Sequence, residues 1–183
     1  MPKLHPFAET PFSLLPEPLS QMIRNAELPA IAAGPMNRDL ADALWGGEFD
    51  DEFAQLAADQ GSSNTATTVK LVNSGLWLLA GDLDRSHSLS QDLHSAEGSF
   101  WHGIMHRREG DFGNAKYWFR RVGEHPVIDQ IASANHDLYS DPFVFVDNCA
   151  KSTQADRSNE LACQNVQWHE WQSLMVHCLA SDS

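Results

Sequence analysis

Two stretches of the chain, AGDLDRSHSLSQ at residues 80–91 and EGDFGNAKYWFR at residues 109–120, align at an offset of 29 residues. A weaker echo, GGEFDDEFAQLA, starts 34 residues before the first. Each reads as the end of one helix, a turn of glycine followed by an acidic residue, and the start of another. Glycine takes the left-handed conformation that closes a helix, and aspartate serves the turn. A unit that recurs at this period cannot bury its apolar face alone, so it stacks on its neighbours. The predicted class is therefore all-α: stacked antiparallel helical hairpins in a short α-α array.

The segments around the repeat support that class. Residues 1–36 contain Pro2, Pro6, Pro11, Pro16, Pro18, Pro29 and Pro35. They are expected to form a proline-rich N-terminal arm, extended and packed over the domain, with one short helix near 18–27. Residues 37–183 are expected to form a single helical domain. Asn37 can cap a helix that buries Leu40, Ala43 and Leu44. A second helix follows from Asp50, and GSSNTATTVK (61–70) is the most linker-like piece. Val69, Val72, Leu76 and Leu79 have helical spacing up to Gly81. The segment after Pro126 reads as helix or irregular chain. Asp141 and Pro142 start a helix by cap and first-turn proline, although Phe143, Val144, Phe145 and Val146 also suit a short strand; helix is favoured. Residues 158–180 read as an amphipathic helix that covers the end of the array.

A charge of -13 repels nucleic acid and anionic membranes, so neither is an expected partner. No apolar run is long enough to span a bilayer, and the first residues lack the basic-then-apolar order of a signal peptide. Three widely spaced cysteines, Cys149, Cys163 and Cys178, fit a reducing cytoplasm better than a disulfide framework. The positive charge is uneven. Arg107, Arg108, Lys116, Arg120 and Arg121 fall within fifteen positions, opposed there only by Glu109 and Asp111. Such an island is either a solvated face with ion pairs or a place for a small anion.

The stretch GDFGNAKYWFRRVGEHP resembles the second helix of a tetratricopeptide repeat. Ala115 and Phe119 stand four apart, Val122 follows, Pro126 ends the unit, and Gly103 takes the small-residue position of the first helix. The resemblance covers about residues 95–126. It is poor in the preceding unit, where Ser86 and Ser90 replace the alanine and the aromatic. It implies helical hairpins and the binding of a peptide or protein in a groove. This chain departs from that pattern at His102 and His106, which occupy positions where the family packs apolar residues.

Those two histidines define the candidate site, or else are structural, each held by hydrogen bonds to protein groups. His102, His106, Asn114, Tyr117 and Arg121 are expected to line one cleft, with Arg107, Arg108 and Arg120 assisting, for a small anionic ligand or an acidic peptide. The alternative is a small-molecule or metal-dependent enzyme. The i, i+4 spacing of His102 and His106 lets both hold one metal, with Glu109 one turn further. His94 and His125 are further candidates. HExxH, phosphate loops and dinucleotide fingerprints are absent, so no motif specifies a cofactor. His87 and His94, seven apart, read as the polar face of a helix. The tryptophans read as core, with Trp118 on the core spacing of its helix and Trp168 and Trp171 forming a buried stripe.

Overall fold

The computed structural model describes residues 3–154 and 159–180. Those residues form eleven helices and no strand: α1 (Pro6–Ser13), α2 (Glu17–Asn25), α3 (Arg38–Leu44), α4 (Asp50–Asp59), α5 (Thr65–Ala80), α6 (Leu83–Ser90), α7 (Ala96–Glu109), α8 (Phe112–Val122), α9 (Pro126–Asn135), α10 (Pro142–Gln154) and α11 (Glu160–Ala180). The fold is all-α, and its centre is two helical hairpins, α5–α6 and α7–α8, with α6 packed on α7.

The recurring Gly-Asp pair is the same turn both times. Gly81 and Gly110 close their helices with φ +86°. Asp82 and Asp111 then cap the next helices, accepting the N–H of Arg85 at 3.0 Å and of Asn114 at 3.1 Å. In the weaker echo only the left-handed glycine survives, at Gly47, and α4 starts without a side-chain cap.

The interiors of the two hairpins differ. In α7–α8, a Cβ added at Gly103 would stand 3.1 Å from the Phe119 ring, so glycine is what lets the helices close. In α5–α6 the equivalent positions are Ser74, Ser86 and Ser90, all fully buried. Ser74 and Ser86 are bonded hydroxyl to hydroxyl at 3.1 Å, and Ser90 donates to the Ser86 carbonyl at 2.9 Å. Buried hydroxyls need such partners. A polar seam has replaced the apolar one.

Several expectations need correction. In the N-terminal segment α2 matches the short helix expected near 18–27, while α1 lies where extended chain was expected; Pro6 and Pro18 sit in first turns, where proline favours a helix. Phe12, Leu19, Ile23 and Ile31 of this segment belong to the common core. Helix α3 buries Ala41 where Ala43 was expected. The linker-like stretch ends early, since Asn64 caps α5 by accepting the Thr67 N–H at 3.1 Å. Residues 142–154 are helix, as favoured, with Asp141 accepting the Val144 N–H at 2.9 Å. Helix α11 is no amphipathic cover: every residue from Val166 to Met175 is buried. The N-terminal segment closes over it, with Trp168 donating to the Lys3 carbonyl and Gln167 to those of Pro29 and Ala30.

Helix α7 is also buried on all sides from Gly98 to Arg108. It meets α11 through a fully buried ion pair, Arg107 with Glu170, both at 0% exposure. Gln167 accepts a further bond from the guanidinium at 3.3 Å, and the Phe145 ring lies 4.4 Å from it. Burial opposes the Arg107 charge, but Glu170, with help from Cys149 and Tyr139, holds the guanidinium above its ordinary pKa. Breaking such a pair from one side strands a charge and costs about 3–5 kcal/mol.

Candidate functional site

The polar seam is where the site forms. Helix α6 brings His87 against His102 and His106 of α7, with ring centroids 4.7 and 5.5 Å away; the two α7 rings are 4.7 Å apart. One nitrogen from each of the three rings falls within 4.8 Å of the others. Helix α8 supplies the far wall. The Trp118 ring lies against His102 with centroids 4.0 Å apart at a 33° tilt, Arg121 lies 5.1 Å from the Trp118 ring, and Asn114 reaches His106.

Hydrogen bonds decide which nitrogen of each ring is free. The Ser90 hydroxyl lies 2.9 Å from the Ser86 carbonyl and 3.1 Å from His102 Nδ1. With its one proton on the carbonyl, its oxygen accepts from Nδ1, and His102 Nε2 then carries the lone pair. His106 has the same arrangement. Its Nδ1 donates to Glu109 Oε2 at 2.9 Å, and its Nε2 accepts the Asn114 amide at 3.0 Å. A carboxylate behind one nitrogen of a histidine is the usual device for presenting the other to a metal. Burial first, then the neighbouring His106 and His87, push His102 down to about 3. Burial also lowers His106, outweighing the upward pull of Glu109. Both rings are uncharged at neutral pH, the form that binds metals.

Placement of the other expected residues is mixed. Asn114 joins the cluster, while Tyr117, Arg120 and Arg121 are exposed on α8, with Arg121 on the cleft side through Trp118. Arg107 and Arg108 do not join it. Arg107 is committed to Glu170, and Arg108 donates to the Leu78 carbonyl. Both point away because α7 is buried all round, so consecutive residues face different neighbours. Glu109 stands behind His106 instead of beside it as a ligand. Since α6 ends at Ser90, exposed His94 lies beyond it and shares no helix face with His87.

Sequence reasoning missed His87 and Trp118 as members of the site. The available signal was Ser86 and Ser90 at positions aligned with Ala115 and Phe119. Serines at interior positions mark a polar seam between units, and His87 lies on it. Trp118 sits between core positions but is only half-buried. Trp45, also expected in the core, is 65% exposed under the Arg85 guanidinium.

A second cluster occupies the other end of α7. Glu97 Oε1 is 3.5 Å from His125 Nε2 and 3.4 Å from His177 Nε2. His125 caps α9, its Nδ1 accepting the Val127 N–H at 3.2 Å. The proton of the neutral ring is therefore on Nε2, facing the carboxylate. The two imidazoles, His125 first, hold Glu97 far below the ordinary carboxylate range. This cluster ties α7, α9 and α11 together by donors converging on one anion.

Compared with known protein families, with curated proteins and with solved structures, the chain matches none. No helix among the described residues is long and apolar enough to cross a membrane.

Proposed function

We propose that this chain is a metal-binding helical-hairpin protein, holding one divalent transition metal of the zinc class on His87, His102 and His106. The observation that carries the reading is the convergence of three imidazoles from two helices within 4.8 Å, two of them with Nε2 lone pairs set by their partners. Imidazole ligands suit zinc, copper, iron and nickel. Tetrahedral Zn–N bonds of about 2.0–2.1 Å place ligand nitrogens roughly 3.3 Å apart. Closing from the present spacing takes small ring rotations and displacement of the Asn114 amide from His106.

Three protein ligands leave a coordination position open, as catalytic zinc sites do. In that position a bound metal polarises a carbonyl or phosphoryl oxygen or activates a water. The open side faces Asn114, Trp118 and Arg121, so the anionic group recognised here is a ligand to the metal, steadied by Arg121. Direct capture of an anion by the histidines alone needs protonated rings, and burial reserves that form for acid. The turning away of Arg107 and Arg108 removes two positive charges that oppose a dication, and Glu109 and Asp111 favour one.

The helical frame supports the resemblance to a tetratricopeptide unit at one contact, Gly103 on Phe119. The three cysteines are free and buried, in keeping with a reducing, cytoplasmic setting. The test is a zinc titration of the metal-free protein in competition with a chromophoric chelator. One equivalent is expected to bind, with affinity lost in His87→Ala, His102→Ala and His106→Ala alike. Equal binding by the triple variant sinks the proposal.

A further inference from the structure

Arg107 and Arg108 are neighbours on α7 and both are buried, yet only Arg107 has a carboxylate. Arg108 is 4% exposed. Its Nη1 donates to the Leu78 carbonyl, and its Nε is buried without a partner. Among the described residues no carboxylate lies within ion-pair distance of it. Arg108 lines a small cavity with Pro29, Leu78, Ile104, Gln167 and Trp171. It also lines a cavity of about 410 Å³ between the N-terminal segment and the C-terminal end of α5. Asn25, Pro29, Gly34, Pro35 and Leu79 are among its walls, and exposed Glu27 stands in the lining without pairing with Arg108.

Burying an unpaired charge costs several kcal/mol and is retained only where something meets it. Here the Leu78 carbonyl takes one N–H, no carboxylate among the described residues pairs with the group, and the larger cavity is where an anion can reach it. The position one repeat earlier, Leu79, is apolar, so the stacking itself has no need of an arginine. Burial first, then Arg107, lower the Arg108 pKa to about 10, which still leaves it charged at neutral pH. Because the guanidinium itself is buried, an arriving anion interacts with it more strongly than with an exposed arginine. The cavity volume is that of a small-molecule pocket.

We propose that this cavity binds a small carboxylate- or phosphate-bearing molecule whose anionic group pairs with Arg108. The site is separate from the histidine cleft and does not depend on the metal. Its charge-assisted bonds are those guanidinium groups make with either head group.

The test is a pair of titrations of the metal-free chain, with succinate and with inorganic phosphate, at constant ionic strength, read by backbone amide resonances. The amides of Gly34 and Gly81 are expected to shift saturably with at least one probe, and the probe that saturates at lower concentration names the head group. In Arg108→Met the affinity is expected to fall at least about tenfold. The melting temperature of the free variant is expected to hold or rise, since a stranded charge has gone. Unmoved wild-type resonances with both probes overturn the proposal, and so does a titration that Arg108→Met leaves unchanged. If the variant does not fold, the wild-type titration decides alone: shifts confined to His102, His106 and Asn114 overturn the cavity site, and shifts centred on Gly34 and Gly81 support it.

Discussion

The two ends of α7 carry histidine clusters of similar size and opposite polarity. In the C-terminal half, Ser90 and Glu109 stand behind Nδ1 of His102 and His106, which leaves the lone pairs on Nε2, that of His106 accepting the Asn114 amide. At the N-terminal end, the Val127 N–H occupies the lone pair of His125, so that ring turns a proton toward Glu97. Three close ligand-type residues do not make a metal site by themselves. The partners behind each ring set which nitrogen is offered; on the proposed reading they suit one cluster to a cation, while the other centres on the Glu97 carboxylate.

The largest expected effect is on zinc affinity. His102→Ala or His106→Ala should weaken binding by more than about 100-fold, beyond what loss of an outer partner costs. His125→Ala and His177→Ala should leave it within a few-fold. Competition titrations on the four variants check this, and equal losses at both ends would break the contrast.

A smaller effect separates the two carboxylates. Glu109→Gln should reduce zinc affinity by roughly 10–100-fold, because it no longer holds the His106 tautomer. Glu97→Gln should leave affinity alone and cost about 1–3 kcal/mol of folding stability by leaving buried donors poorly met. Urea unfolding beside the same titrations reads both.

The smallest effect is in acid. A histidine lowered in the folded state stabilises fully above its unfolded value of 6.5 and loses that contribution as pH falls toward its folded value. For His102 the window runs from 6.5 down to about 3. His169, lowered to about 4 by burial and then by His5, adds to it. Glu97, also lowered, keeps its contribution down to 4.5 and loses it only below. In metal-free protein, His102→Gln should therefore flatten the loss of stability between pH 6.5 and 4.5. Glu97→Gln should flatten only the part below 4.5. Unfolding midpoints across pH measure both.

The turn was legible because it is local: Gly81-Asp82 and Gly110-Asp111 each need one left-handed residue and one cap, and both are written in adjacent letters. His102 and His106 were legible by their spacing on one helix. The third histidine was not, because His87 reaches them only through the packing of α6 on α7. The burial of α7 was hidden for a related reason. Its arginines look like a solvated face until Glu170, more than sixty residues away, is brought beside Arg107. Helix α2 was legible, but α1 was not, because prolines read as breakers, whereas Pro6 opens its helix.

X-ray absorption at the zinc edge of protein loaded with one equivalent of zinc tests the central claim most directly. The account predicts three imidazole shells at about 2.0–2.1 Å and one further light ligand. The Glu97→Gln variant should give the same spectrum, and His87→Ala should lose one imidazole. A wild-type spectrum without multiple imidazole scattering, or one altered by Glu97→Gln and not by His87→Ala, would contradict it.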